Sequence, residues 1–367
     1  MKGFKALSGV SAKRTVRLTL ILLLIISLAL PTLSGCKNNE APTEDDGSYD
    51  FTLCFAGDIN FDEDWATTKY LDSCENGILD CIAPELVSVM QSADIMWLNN
   101  EFTYSTRGKP LSGKMYTFRA DPERAQNLKL LGVDIVGLAN NHVYDYGEAA
   151  LLDTMDTLDE VGIPYVGAGR DLQSAKKPVY LQADGKTVAF VAASRAEKYK
   201  MTPQATDSKP GILRCYDTEL FKQSIAEAAQ NADIVIALPH WGTEYSTVLE
   251  PVQKQTAREY IDAGADAVIG AHTHCLQGFE FYNGAPVIYS LGNYWFNEKT
   301  LDTMLVTLHC YGNNTESHTE VRIVPALQKN CRTVYVSDSA ERRELYDRLE
   351  GISVNAVIDD GGRVTEK

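Results

Sequence analysis

From residue 51 onward, short apolar runs alternate with amphipathic stretches. The runs fall at residues 51–56 (FTLCFA), 95–98 (IMWL), 134–139 (DIVGLA), 187–193 (TVAFVAA), 233–238 (DIVIAL), 267–271 (AVIGA) and 286–291 (PVIYSL). Between them the spacing predicts helices over 84–93, 122–131, 148–161, 218–232 and 251–263. Several of these open on Pro and close at Gly132, Gly162 or Gly264. Strands this short and this apolar, separated by helices, predict an α/β fold whose strands are largely buried. In such folds ligands gather beyond the carboxyl ends of the strands. Past residue 300 the pattern adds two strands (304–308 and 321–324) and a charged amphipathic helix near 340–349, expected to pack on the core.

The amino-terminal segment has a different pattern. Residues 1–35 hold Lys2, Lys5, Lys13, Arg14 and Arg17, no acid, and the apolar run LTLILLLIISLAL, followed by Leu33-Ser34-Gly35-Cys36. A basic start, a short apolar stretch and small residues before a cleavage point make a secretory signal. The run falls short of the roughly 20 residues a spanning helix needs. The LSGC tetrad resembles a bacterial lipobox, which makes Cys36 the expected lipidation site. An ordinary cleaved signal or an uncleaved anchor fits the same segment. Residues 36–50 carry five acids after Cys36 with no apolar period, and read as a flexible tether. The expected organisation is therefore a leader (1–35), a tether (36–50), a main α/β domain (51–300) and a packed carboxyl-terminal segment (301–367). On this reading the protein is exported and lipid-anchored to the outer face of the bacterial cytoplasmic membrane.

Charge sharpens this picture. With 34 Lys+Arg against 50 Asp+Glu the chain carries −16, and losing a leader with five bases would leave −16 − 5 = −21. That balance and the lack of a basic stripe argue against a nucleic-acid partner. Seven cysteines remain after Cys36, with no zinc-type spacing. Cys74 and Cys81 are close enough in sequence to pair, but buried thiols explain the set as well.

The candidate chemistry lies in the residues directly after the apolar runs: Gly57-Asp58-Ile59-Asn60, Asn99-Asn100-Glu101, Asn140-Asn141-His142, His240-Trp241-Gly242-Thr243-Glu244 and His272-Thr273-His274. Four of the six histidines are among them. Carboxylates, an amide oxygen and imidazoles are the donors that hold divalent transition metals. His272 and His274, two apart on a segment read as extended, are expected to project to one side. A pair of metals needs a bridging carboxylate, for which Asp58 and Glu101 are available. Taken singly, Asp58 also suits a plain turn, Asn141-His142 a helix cap, Glu101 or Asp145 a solvated loop, and His240 a packed core position.

The segments AGDINF, WLNNEFT, GLANNHVYDYG, LPHWGTEY, GAHTHCLQG and VIYSLGNYWF, in this order, resemble the calcineurin-like metallophosphoesterase superfamily. Within it they resemble the CapA family of bacterial capsule or poly-γ-glutamate biosynthesis proteins. The resemblance spans roughly two thirds of the chain. It implies a four-layer α/β/β/α sandwich with two divalent ions (Mn, Fe, Zn or Mg) at one edge. Asp58, Glu101, Asn141, His240, His272 and His274 would be the ligands, His142 a general acid, and Asp145 its orienting partner. Asn60, Asn99, Arg119, Glu244 and Asn293 are expected to face the substrate. Arg195 and Tyr294 are looser candidates for the same cleft. Two departures stand out: Asn60 occupies the place of the superfamily's first-motif histidine, and Glu101 replaces an aspartate. An amide oxygen is the weaker donor, so one of the two metal positions is expected to be weakened.

The resemblance implies two functions. One is a metal-dependent hydrolase of the phosphoesterase type acting on an envelope polymer or its lipid-linked precursor, with peptidase or amidase action also open. The other is a noncatalytic component that binds or anchors an anionic capsule polymer beside membrane-bound synthase or export subunits. A body of charge −21 should repel a polyanion unless metal ions bridge the two.

Overall fold

The computed structural model describes residues 46–196 and 201–367. The leader, Cys36 and the first part of the tether lie outside the described residues. Among the described residues no helix is long and apolar enough to cross a membrane. The first strand, Tyr49–Ile59, begins two residues inside the predicted tether.

Two sheets carry the fold. In the larger, Tyr49–Ile59 is central. Ile95–Asn100, Ile135–Gly137 and Tyr165–Val166 lie in turn on one side of it, all parallel. On the other side lies the long antiparallel hairpin Leu301–Gly312 and Ser317–Lys329. Residues past 300 thus complete the same sheet, and the short predicted strands of this region are longer than their apolar cores suggested. The second sheet runs Phe279–Tyr282, Ala285–Ile288, Ala267–Ile269, Ile234–His240, Lys186–Ser194, Val179–Ala183, with its inner strands parallel.

Side-chain alternation along these strands builds the layers. Leu53, Phe55 and Trp97 point from the first sheet to meet Val188, Phe190, Ile236 and Ile269 of the second. The other face of the first sheet, through Ala56, Met96 and Leu98, packs on Leu86 of helix Pro84–Ser92 and on Leu151, Met155 and Leu158 of helix Glu148–Val161. The outer face of the second sheet packs on Phe221 and Ile225 of Glu219–Ala229 and on Ala257 and Tyr260 of Pro251–Asp262. The result is an α/β/β/α sandwich. Helix Ser339–Ile352 closes one end of the inter-sheet core with Leu345, Tyr346 and Leu349.

Two local departures from the sequence pattern have physical reasons. The predicted helix 122–131 divides into a 3₁₀ turn, Pro122–Ala125, capped by the Asp121 carboxylate, and a short helix, Gln126–Leu130. The segment after Ala267–Ile269 is not extended: His272 and His274 both have positive φ, 98° and 55°. The HxH pair is therefore displayed by two left-handed residues, not by the alternation of a strand.

The first strand is bent at its carboxyl end, where it delivers Asp58. Its register shifts against both neighbours around that residue, a bulge of the kind that re-aims a side chain. Gly57 permits this, because a Cβ there would lie 1.9 Å from the Gly292 carbonyl oxygen. Asp58 N–H donates to that same oxygen at 2.9 Å. Gly57→Ala should accordingly cost about 3 kcal/mol, the upper end for overpacking a rigid contact. Chemical denaturation would check it, and an unchanged midpoint would refute the close-approach account.

Candidate metal centre

The carboxyl ends of the parallel strands in both sheets meet at one edge, and the polar residues after them converge there. Asp58, Asn99, Glu101, Asn141, His142, Asp145, His240, His272 and His274 are all buried. The sheets are joined directly across this edge, where Asn141 Oδ1 lies 2.7 Å from His240 Nε2.

Glu101 is the centre of the cluster. Its Oε2 accepts from Asn99 Nδ2 at 3.1 Å, but the buried Oε1 has no hydrogen-bond partner. Three imidazoles surround that oxygen: His240 Nε2 at 3.7 Å, His274 Nε2 at 3.8 Å and His142 Nε2 at 4.0 Å. These separations are too long for hydrogen bonds and leave room for a shared ion. Among the described residues, Glu101, His240 and His272, and likewise Asp58, Glu101 and His274, each bring one ligand atom within 4.8 Å of the others. Glu101 belongs to both groups. It would be the bridge between two bound ions, and a donor set of carboxylate, amide oxygen and imidazole suits divalent ions such as Mn, Fe, Zn or Mg. The residues present therefore fit the metals the resemblance implies.

Neighbouring bonds fix the ligands. His274 Nδ1 lies 3.1 Å from Asp58 Oδ2 and 2.8 Å from Asn293 Oδ1, which leaves Nε2 facing Glu101. This is the carboxylate–histidine arrangement that orients metal-binding rings. Asn99 Nδ2 also donates to Asp58 Oδ1 at 2.7 Å, so it ties the two carboxylates together. Asn140 accepts the backbone N–H groups of His142 and Val143, setting the turn that presents Asn141 and His142. His142 Nδ1 sits 2.7 Å from Asp145 Oδ2, and its ring lies 4.3 Å from that of Phe118.

Not every predicted site residue reaches this cluster in the same way. Asn293 and Asn99 contact the ligands themselves. Glu244 is exposed beside them, and its charge acts on Glu101 and His274. Asn60, in the place of the family pattern's histidine, turns its oxygen to the Asp62 N–H at 2.8 Å. Arg119 stacks 4.3 Å over the Tyr146 ring and lines a 720 Å³ cavity with Glu63, Ser105 and Arg124. Arg195 lies over the Tyr216 ring, and Tyr294 is buried with its hydroxyl on Met90. Cys74 and Cys81 are free, with sulfurs 3.9 Å apart. His309 and His318 sit on the hairpin, partly exposed.

Four contributors had no signal in the apolar pattern. Lys114 is a buried lysine whose Nζ lies 2.6 Å from Asp145 Oδ1. Phe118 and Phe296 stack edge-on, 5.4 Å apart, and form a wall behind His142 and His274. Tyr245 lies 5.7 Å from His274, with Lys299 Nζ 4.0 Å over its ring. Only the contacts reveal them, since their neighbours lie far away in sequence.

Burial and charge set the protonation of the metal-free centre. Burial, then the negative charge of Asp58, pushes Glu101 well above the usual carboxylate range. Burial and the other imidazoles hold His240 and His272 well below the usual histidine value. Burial also pulls His142 down, against the pull of Asp145. In His274 burial acts downward too, but the bond to Asp58 and the charges of Asp58 and Glu244 outweigh it, and the net shift is upward.

The two-sheet fold and the place of this cluster at its edge agree with what the resemblance to calcineurin-like metallophosphoesterases implies. The profile described as "Bacterial capsule synthesis protein PGA_cap" matches residues 52–298, and the chain belongs to that family. It is 35% identical over 220 residues to PGA biosynthesis protein CapA of Bacillus subtilis, covering 59% of this chain and 57% of that one. Capsule biosynthesis protein CapA of Bacillus anthracis is 33% identical over 237 residues, 63% of this chain and 56% of that one. The chain thus matches just over half the length of these relatives. Among solved structures, NAD nucleotidase of Haemophilus influenzae aligns over 86% of this chain and 58% of its own, at 14% identity and a TM-score of 0.42.

Metal ligation requires Glu101 ionised and His274 neutral, and in the metal-free fold both groups hold a proton to higher pH than they ordinarily do. Binding at pH 7 should therefore release protons. Titration calorimetry with Mn²⁺ in buffers of different ionisation enthalpy should give heats that vary with the buffer in the sense of proton release. Buffer-independent heats would contradict the assignment.

Proposed function

We propose that this protein is a surface-anchored CapA-type lipoprotein, held by a lipid on Cys36. In this reading it acts in the assembly of poly-γ-glutamate capsule or a related envelope polymer through a dinuclear centre of phosphoester-hydrolase type. The observation that carries the reading is the unpartnered Glu101 Oε1 amid three imidazoles. A buried carboxylate oxygen in that setting is costly unless a cation meets it.

The metal ligands would be Asp58 and His274 on one side, Asn141, His240 and His272 on the other, with Glu101 between. Divalent ions bound there supply Lewis acidity toward phosphoryl oxygens and activation of a water nucleophile. The chain's own residues do the rest. Asp145 holds the His142 ring by Nδ1 and points Nε2 into the centre, where it can pass a proton to a leaving oxygen. Asn293 and Asp58 keep His274 from turning away. Phe118 and Phe296 keep water from the inner face of both rings. The side that would contain a ligand in place of Asn60 is one donor short, so the Asp58–His274 position should bind its ion more weakly than the Asn141–His240–His272 position.

That missing donor also supports a second reading, in which the scaffold binds the anionic polymer without cleaving it. Metal ions then bridge carboxylates of the polymer to an acidic protein.

A hydrolysis assay separates the two. The protein loaded in turn with Mn²⁺, Fe²⁺, Zn²⁺ or Mg²⁺ should cleave bis-p-nitrophenyl phosphate, and His142→Ala should lower kcat by about 10²–10⁴-fold. No cleavage with any metal, together with chelator-sensitive polymer binding, would favour the second reading. The anchoring claim has its own check: Cys36→Ala should move the protein from the membrane fraction to the soluble one.

A further inference from the structure

The loop between Tyr104 and Arg119 carries two exposed side chains, Met115 (86% exposed) and Tyr116 (55%), next to a lysine that is buried. The loop is stitched to the centre through Asp145. Asp145 Oδ1 takes Lys114 Nζ at 2.6 Å, and its Oδ2 accepts the Phe118 N–H at 2.7 Å as well as holding His142. The Asp145 carbonyl accepts the Leu111 N–H at 2.9 Å. The Lys114 ammonium also contacts the backbone carbonyl of Asn141, which accepts from Thr202 Oγ1 at 2.9 Å. Asn141 is the residue whose side chain meets His240.

A buried ammonium is costly, and pairing with Asp145 offsets that cost. A pair placed only for charge balance would have no need to reach Asn141. We propose that Lys114 is a positioning residue of the centre, acting through Asp145 to fix the His142 ring and through the Asn141 carbonyl to hold the Asn141 side chain beside His240. The exposed residues directly after it, Met115 and Tyr116, then stand on a loop whose seating is tied through Lys114 to the Asn141 position. The inference deepens the proposed metal-centre function and, in its affinity arm, rests on it.

The test compares wild type, Lys114→Met, Lys114→Arg and the double variant Lys114→Met/Asp145→Asn. The first measurement is made on the metal-free protein: the ¹⁵N-coupled Nδ1–H resonance of His142 should shift or vanish in Lys114→Met and return in Lys114→Arg. An unchanged resonance in Lys114→Met overturns the proposal. The second is Mn²⁺ affinity by calorimetry. Loss of a residue that orients a ligand typically costs about 10- to 100-fold in metal affinity. That loss should fall on the tighter of the two positions, which includes Asn141, with the Asp58–His274 position left within about twofold.

If Lys114→Met strands Asp145 and fails to fold, the double variant removes both charges and carries the test. It should still show the loss at the Asn141 position. Recovery of wild-type affinity at both positions in the double variant would mean that Lys114 only neutralises Asp145, and would overturn the proposal. Equal losses at both positions would do so too. If wild type binds no metal, the metal-centre reading fails on its own, and the His142 resonance alone decides the role of Lys114.

Discussion

The site turns on a single carboxylate oxygen. Glu101 Oε1 is buried, accepts no hydrogen bond, and lies 3.7–4.0 Å from three imidazole nitrogens. No hydrogen bond from the described residues satisfies that oxygen, and burial disfavours charge throughout the centre: Glu101 is pushed up, and His240 and His272 are pushed down. Such opposed shifts mark groups held together for a ligand more than for stability. The two sheets, the Asp58 bulge and the left-handed turns at His272 and His274 bring the other five candidate ligands around Glu101.

Much of this was legible in the sequence, for a definable reason. Parallel strands bury both faces, so they read as continuous apolar runs, and polar residues directly after five such runs had to share one edge. Asp58, Glu101, Asn141, His240, His272 and His274 came from that rule and from the motif resemblance. Their geometry did not. The HxH pair looked like strand alternation, yet two positive-φ residues display it. Asn60 looked like a replacement donor, yet its oxygen belongs to a local turn at Asp62. Asn99 and Asn293 also bond to Asp58 and His274, contacts the sequence pattern did not show.

The residues that stayed hidden share one property. Lys114 and Phe118 reach the centre from a segment with no periodic pattern. Lys114 sits in a loop rich in Gly, Ser and Lys, where the bland expectation for a lysine is solvent. Its contact with Asp145 reveals the burial. Loops seated by one buried polar residue are not visible to hydrophobic periodicity, because the information lies in a pair and not in a repeat.

The family supplies the biological setting, capsule and poly-γ-glutamate assembly, while the centre supplies a chemistry that the setting does not obviously require. The link between them is charge. In the proposed function an acidic body handling an acidic polymer needs cations at the point of contact, and the Glu101 cluster offers the donors that would hold them. The most direct test of this account is the stability of Glu101→Gln with and without metal. At pH 8, in chelator, the variant should melt at a higher temperature than wild type, because the stranded carboxylate is gone. With excess Mn²⁺ the order should reverse, because wild type alone gains the binding free energy. A variant that is less stable in chelator and equally stabilised by Mn²⁺ would show that Glu101 is a structural acid and that the centre does not bridge metal ions.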